Sequence, residues 1–373
     1  MNHQTSFWET SQILKTFDFA IVGAGLSGKQ IALNLKKKYS KARVCIIDRA
    51  PFSYGASTKN AGFTCFGSIS ELIMDHSNST ENDILELLEK RYLGIKKILG
   101  LCGQKNVAYY NSGSYEVFEK EDIYQSSFEK IQYWNNKIQE KTGLKSTYNE
   151  KQIQKLGTHF FNKAIYNPHE GGLDSGLLNQ KLTEMVLKKG IIPMMGCNID
   201  SINKTTNGYE LKASNGLSFS AHKLIIANNA FAKILVPHLD IEPARGQIIL
   251  TKPLENLKLK AVFHADNGYI YFRNIGNRLL LGGARNKFME QEKTHEIDTT
   301  ENMKDYLTKY INKWILPNKT IEVDQHWSGI MAMGKTKTPI VEKIDENLFV
   351  CVRMGGMGLA LSAIASEDLV KLL

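Results

Sequence analysis

The fold is decided by the stretch Phe17–Asp48, "FDFAIVGAGLSGKQIALNLKKKYSKARVCIID". It opens with a short apolar run of strand type, Phe17–Val22. A glycine-rich turn follows, and then "KQIALNLKKKY" with helical spacing. "ARVCIID" is a second apolar strand. Strand, tight turn, helix and strand within roughly 30 residues make a βαβ unit. Gly23, Gly25 and Gly28 stand in the G-x-G-x-x-G pattern. The first glycine permits the turn, the second lets backbone approach a pyrophosphate, and the third lets helix and strand pack closely. The helix start offers free N–H groups and a positive dipole end to phosphate. Asp48 closes the second strand, where a carboxylate can accept hydrogen bonds from ribose hydroxyls. Strand before, helix after and acid at the end together predict a dinucleotide site.

The rest of the chain extends this frame. Residues 79–101 and 121–143 have the apolar spacing of two long amphipathic helices, the first opening on a Thr80/Asp83 capping pair and the second stopping at Gly143. A third helix is expected over Gly176–Lys189, and "KLIIANNA" (Lys223–Ala230) reads as a buried strand. From Arg245 to Gly283 the texture is strand and hairpin, turning at Gly276–Asn277. "NLFVCV" is a further strand, and "RMGGMGLALSAIASEDLVKLL" runs from a glycine-rich turn into a last helix.

Composition bounds the function. Of 373 residues, 42% are hydrophobic and 23% charged, the balance of a soluble globular protein too long for one small core. No run approaches the about 18 apolar residues of a spanning helix, and no secretory pattern opens the chain. Five scattered cysteines suggest neither a disulfide frame nor a metal site, and a reducing cytoplasm is the expected compartment. The net charge of +9 raises the question of an anionic partner such as RNA. Lysines are spread along the chain, with only Lys36–Lys38 in a run, so a nucleic-acid partner is the less favoured reading.

Between Tyr54 and Leu72 lies "YGASTKNAGFTCFGSISEL", small residues without a period. "IIDRAPFSYGASTKNAGF" resembles the flavin-contacting segment of the D-amino-acid oxidase, glycine oxidase and sarcosine oxidase superfamily. The closing "RMGGMGLALSAIASEDL" is similar to that family's final glycine-rich turn and helix. "EGGLDSGLLNQKL", "PARGQI", "YFRNIGNRLLLGG" and "HWSGIMAMGKTKTPIV" fall in the family's order, so the resemblance spans essentially the whole chain. It implies an α/β plus α+β architecture: a Rossmann-like FAD-binding domain from residues 15–75, 155–235 and 325–373, interleaved with an antiparallel-sheet substrate domain from 76–154 and 236–324.

The resemblance also implies FAD, held non-covalently. Gly23, Gly25 and Gly28 would hold the pyrophosphate, Asp48 the ribose, and Arg49 would lie along the adenosine. Ser57, Lys59, Asn60, Ala61 and Gly62 would wrap the pyrophosphate and flavin side, and Ile199 would meet the adenine. Gly355, Gly356, Met357 and Gly358 would place N–H groups near the pyrimidine end of the isoalloxazine, where negative charge grows on reduction. The implied reaction is dehydrogenation of a C–N bond of an amine or amino acid, with hydride passing to flavin N5 and electrons leaving to oxygen or a quinone. Alternatives are oxidation of the carboxymethylaminomethyl side chain of a tRNA wobble uridine, 2-hydroxyacid dehydrogenation, and a structural FAD in a partner-binding protein.

The sequence departs from the family in three places, one of them "ANNA", with Asn229 where glycine is common and asparagine tolerates the left-handed backbone. Relatives that oxidise amino acids often carry a carboxylate-clamping Arg after Trp-x-Gly, where this chain has Met331, and some carry a Lys where it has Leu280. The remaining candidates for substrate chemistry are Tyr269, Tyr271 and Arg273, which alternate along "GYIYFR" and so share one strand face. The tyrosines would order an amine and Arg273 would fix an anion. Arg245, His264 and His326 read as structural, and Met331 and Met333 as pocket wall.

Overall fold

The computed structural model describes residues 5–373. β1 is Phe17–Val22, α1 is Leu26–Lys38 and β2 is Val44–Asp48, the predicted unit. Every residue of β1 except Asp18 is buried, as a central parallel strand requires. β1 pairs in parallel with β2 on one side (Val22 opposite Ile47) and with Ser218–Ile226 on the other (Val22 opposite Ile226). Ile192–Met195 extends the sheet beyond β2, and Leu348–Val352 extends it beyond Ser218–Ile226. Their carboxyl ends open on the same side, where open α/β sheets bind ligands.

Helices cover this sheet. α1 meets the last helix, Gly358–Lys371, through Gln30 Nε2 donating to Ser362 Oγ at 2.7 Å and Asn34 Nδ2 to Ser366 Oγ at 3.2 Å. Glu81–Cys102 lies across that last helix so closely that a Cβ on Gly94 would stand 1.8 Å from the Ala360 carbonyl. This long helix was expected in the substrate domain, yet it belongs to the apolar core of the parallel sheet. Its cap is as expected: Thr80 Oγ1 accepts from the Asp83 N–H at 3.2 Å.

The second expected helix is two, Glu121–Phe128 and Ile131–Thr142. Tyr124 and Trp134 are both fully buried. In one continuous helix, ten residues apart, they would point about 80° apart. The break at Glu129–Lys130 re-aims the second helix, and Ser126 and Ser127 before it favour a turn over helix continuation. Gly143 ends that helix at φ +76°, as its position implied.

The second sheet has eight strands, in the order Val323–Met333, Glu242–Thr251, Arg278–Gly283, Ile270–Ile275, Val262–Ala265, Ser114–Val117, Lys163–Asn167 and Asn149–Gln152. All neighbours are antiparallel except Val262–Ala265 and Ser114–Val117. Lys163–Asn167 and all but the first two residues of Val323–Met333 fall inside the segments assigned by sequence to the FAD-binding domain, but they pair in this sheet. One face is buried under Glu301–Tyr310 in a core with Phe263, Phe272, Leu279 and Leu281. The other face turns to the parallel sheet and forms the site.

A candidate cofactor and substrate cavity

One cavity of about 590 Å³ runs from the glycine turn of β1–α1 to the free face of the antiparallel sheet. Its first part is built from backbone. Gly23 has φ +118°, and a Cβ there would stand 2.5 Å from the Ala227 carbonyl. A Cβ on Gly25 would meet Ser57 Oγ at 2.7 Å, and one on Gly28 would stand 1.8 Å from the Gly23 carbonyl. Gly23 and Gly25 line the cavity; Gly28 lies behind it and sets the helix–strand approach. Asp48, on the wall, is fixed by N–H groups of Ala24 (2.9 Å) and Ala50 (3.1 Å). Arg49 lies over the Phe231 ring at 3.8 Å, and Ile199 completes that end.

Behind this turn is a group the sequence reading missed. Lys29 is buried, and burial lowers its ammonium to about 8 although Asp48 pulls the other way. Its Nζ donates to Ser53 Oγ at 2.7 Å, and Ser53 Oγ donates to the Ala24 carbonyl at 2.7 Å. The lysine thus braces the turn from inside.

The loop after β2 is not irregular throughout. Ala56–Lys59 is one helical turn, Phe63–Thr64 pairs with Gly171–Gly172, and Ile69–His76 is a helix unread in the sequence. Ser57 Oγ accepts from the Leu26 N–H at 2.9 Å, clipping the loop to the start of α1. Ser57, Lys59, Asn60 and Ala61 line the cavity. The Asn60 side chain is engaged within the loop, donating to Ser57 O (2.9 Å) and accepting from Gly62 N (2.9 Å) and Ser175 Oγ (2.7 Å). Gly62 turns away at φ +73°, with the Leu173 carbonyl where a Cβ would go. Trp327 Nε1 donates to the Lys59 carbonyl at 3.1 Å and ties the loop to the second sheet.

The closing segment supplies the opposite wall. Gly355 to Leu359 border the cavity where the 14-residue last helix begins, so its free N–H groups face inward. Asn229, at φ +51°, accepts from the Arg353 N–H at 3.1 Å and steadies the turn. The left-handed backbone that asparagine tolerates is the one it adopts.

Directly paired positions cross the second sheet in one row: Glu116, His264, Tyr271, Gly282, Ile248 and Trp327. Paired residues share a face, so this row looks at the cofactor-loop side. Gly282 leaves room for the Tyr271 ring, which a Cβ would meet at 2.5 Å. Phe63 stands edge-on to His264 and Tyr271. Tyr269 and Tyr271 line the cavity as predicted; burial pushes the Tyr271 phenol up to about 12. Arg273 shares their face but does not reach the cavity. Its Nη1 donates to the carbonyls of Leu173 (2.8 Å), Gly62 (3.0 Å) and Ala61 (3.1 Å). Its place is therefore under the cofactor loop rather than against a substrate anion.

His264 was read as structural, and it lies on the cavity wall. Burial lowers its pKa against the pull of Glu170 and Glu71, so the imidazole is neutral at pH 7. Its Nε2 has no hydrogen-bond partner and stands 3.9 Å from Glu170 Oε2. Cys65, Glu170 and His264 bring sulfur, oxygen and nitrogen within 4.8 Å of one another, a metal-ligand grouping that scattered sequence positions did not announce. Burial pushes the Cys65 thiol far up, and Glu170 already accepts from Phe66 N (2.7 Å) and Ser114 Oγ (2.5 Å). Arg245, as expected, is structural: Nε pairs with Glu292 at 2.8 Å. Met331 and Met333 are cavity wall, also as expected.

Most cations on the wall are neutralised. Glu71 is bonded to Arg91 (3.3 Å) and Lys337 (3.0 Å), and Lys337 reaches Asp75 at 2.8 Å. Burial alone would lift the Glu71 carboxyl, but the two cations outweigh it and hold it at about 2. Arg353 pairs with Asp240 at 2.6 Å, and Lys59 lies over the Tyr54 ring.

Glu116, at the end of the row, is the reverse case. Burial lifts its carboxyl to about 7 despite hydrogen bonds from Ser70. A folded-state pKa above the ordinary carboxyl value costs stability as pH rises from about 4.5 through 7. Glu116→Gln removes that titration. Relative to the native chain it should gain up to about 3 kcal/mol between pH 5 and pH 8. Urea midpoints at the two pH values test this; an unchanged difference rejects it.

A glycine turn at the carboxyl edge of a parallel sheet, joined by one cavity to an antiparallel sheet, defines a dinucleotide-binding protein with room for a second ligand beside the cofactor. The donor set fits such a cofactor: backbone N–H at two helix starts, a fixed acid at the end of β2, and glycines where side chains would fill the space. The chain belongs to the FAD dependent oxidoreductase (DAO) family, whose model matches residues 18–372. Similar solved structures include glycine oxidase from Geobacillus kaustophilus, at 20% identity and TM-score 0.77, covering 96% of this chain and 94% of that one. Iminodiacetate oxidase from Chelativorans sp. BNC1 matches at 19% and 0.75, covering 94% of each chain. L-α-glycerophosphate oxidase from Mycoplasma pneumoniae, with FAD bound, matches at 17% and 0.77, covering 96% and 95%. The protein is an FAD-dependent oxidoreductase, and no helix among its described residues is long and apolar enough to cross a membrane.

Proposed function

We propose that this enzyme dehydrogenates a carbon–nitrogen bond of an amine or amino acid to an imine, which water then hydrolyses. The observation that carries the reading is the substrate end of the cavity, walled by Phe63, Tyr271, Met331 and Met333 around a neutral His264. Bound FAD supplies the hydride acceptor. The wall does the rest. An ammonium group entering this apolar space loses solvation and gives up its proton, and only the neutral amine has the lone pair that assists hydride loss. His264 Nε2, without a partner, is placed near Glu170 to accept that proton. Two of the three similar proteins named above, glycine oxidase and iminodiacetate oxidase, are by name oxidases of amine-bearing acids.

The charge pattern favours a small molecule over RNA. Phosphate binding needs unpaired cations along a track, whereas Arg91, Lys337 and Arg353 on this wall are paired with carboxylates. The test is anaerobic bleaching of the holoenzyme with amines, amino acids and 2-hydroxy acids, followed by admission of oxygen. Bleaching by an amine or amino acid is expected. Bleaching by hydroxy acids alone would transfer the reading to hydroxyacid dehydrogenation, and no bleaching by any would make the flavin structural. The reoxidation rate reports whether oxygen is the acceptor or a quinone is required.

A further inference from the structure

Arg285 is the one cavity-lining arginine or lysine, among the described residues, with neither a carboxylate nor an aromatic ring against it. Its Nη1 donates to the Met289 thioether, at 3.1 Å. The guanidinium carries five donors in a planar fork, a geometry made for carboxylate. It stands in the turn after Arg278–Gly283, which hydrogen bonds and an ion pair hold in place. Ala284 sits at φ +56°, and its N–H donates to the Tyr269 carbonyl at 2.7 Å. Asn286 and Lys287 are both held by Asp266, at 2.8 and 3.5 Å. The backbone bond to Tyr269 brings Arg285 beside the cavity-lining tyrosine at the same end of the hairpin.

The opposite wall carries Met331, which offers no charge. Lys337 is no substitute: Glu71 and Asp75 balance Lys337 and Arg91 charge for charge. A carboxylate that enters an apolar cavity must meet an unneutralised cation. We propose that Arg285, with Tyr269 beside it, binds the carboxylate of the substrate, so that the enzyme takes amino acids in preference to amines lacking that group. This rests on the amine-dehydrogenating reading for the substrate's reacting end, but the anion site can be tested separately.

The experiment uses holoenzyme and has two arms. In the first, benzoate and its neutral analogue benzamide are titrated into native protein and the Arg285→Met variant, read as perturbation of the flavin spectrum. Loss of a charged, fork-like pair is expected to weaken benzoate binding about 10- to 100-fold. Benzamide binding should move less than about twofold, with Arg285→Lys intermediate and flavin content unchanged. In the second, matched pairs such as N-methylglycine and its amide, or proline and pyrrolidine, are compared by anaerobic flavin reduction. The half-saturating concentration of the carboxylate member should rise by the same factor in Arg285→Met. Equal benzoate binding by both proteins, equal binding of benzoate and benzamide by the native protein, or no benzoate binding at millimolar concentration would overturn the proposal. If benzoate binding depends on Arg285 while no amine reduces the flavin, the anion site stands and the amine reading falls.

Discussion

Replacing Gly28 by alanine is expected to give colourless protein that melts far below the native chain. The added Cβ would stand 1.8 Å from the Gly23 carbonyl oxygen and 3.0 Å from its carbon. These are backbone atoms, so no rotamer change relieves the clash, and α1 must draw away from β1. The Gly23–Leu26 turn moves with it, along with the Ser57–Leu26 bond that clips the cofactor loop in place. Overpacking in a well-packed interior costs about 1–3 kcal/mol when side chains can adjust, and a backbone collision belongs at or above the upper end. Gly100→Ala is the control: that glycine is in the helix Glu81–Cys102, with nothing within 4 Å of its would-be Cβ. There alanine should be neutral or stabilise by up to about 1 kcal/mol. The ratio of flavin to protein absorbance and thermal melts with and without added FAD measure both. A yellow Gly28→Ala protein with native melting would refute the account.

That glycine was legible because its cause is local. Three glycines at fixed offsets between a buried strand and a helix describe one turn, and the carbonyl that demands Gly28, that of Gly23, lies within it, although Gly23 and Gly25 also answer to Ala227 and Ser57 from elsewhere in the chain. The same holds for the Thr80 cap and for Gly143, where sequence neighbours decide the backbone. Asn229 was legible for a related reason: few side chains other than glycine accept its left-handed backbone. Period-two alternation likewise put Tyr269, Tyr271 and Arg273 on one face. What alternation does not carry is the distance to the far partner. Tyr271 finds open cavity, whereas Arg273, two residues on, finds the carbonyls of residues 61, 62 and 173.

The residues left unread, or like His264 read only as structural, are all of this second kind. Lys29 looked like one more helix lysine until Ser53 and Asn179 closed over it. His264 gained its place through cross-strand pairing with Tyr271 and proximity to Glu170, 94 positions earlier in the chain. Arg285 follows a strand end in sequence, and only the bond from Ala284 to Tyr269 brings it to the cavity. A usable signal did exist for it. With Met331 in the position of an expected arginine, an arginine elsewhere at a strand end of the same sheet was the compensation to look for.

At Arg273 a loop fastener and a substrate clamp differ in what their loss would change. Arg273→Met is expected to destabilise the protein and loosen the flavin while leaving substrate affinity nearly unchanged. One nitrogen, Nη1, bonds three carbonyls, and the guanidinium lies 4.8 Å over the Tyr110 ring. A buried acceptor that loses its donor costs about 1–3 kcal/mol. The Gly62 carbonyl keeps the Leu173 N–H at 2.8 Å, so two carbonyls lose their donor and the total should be about 2–6 kcal/mol. Part of the loss falls on Ala61, in the loop that Trp327 and Ser57 hold from its other sides, so FAD should dissociate more readily. Arg273→Lys should recover part of the stability, because an ammonium has three donors but lacks the planar reach. Urea unfolding, the fluorescence of released flavin, and the half-saturating substrate concentration of the remaining holoenzyme measure the three effects. A half-saturating concentration that rises tenfold or more, with flavin retention and unfolding midpoint unchanged, would return Arg273 to the role of substrate-anion clamp. The opposite pattern makes it the residue that fastens the cofactor loop to the substrate sheet.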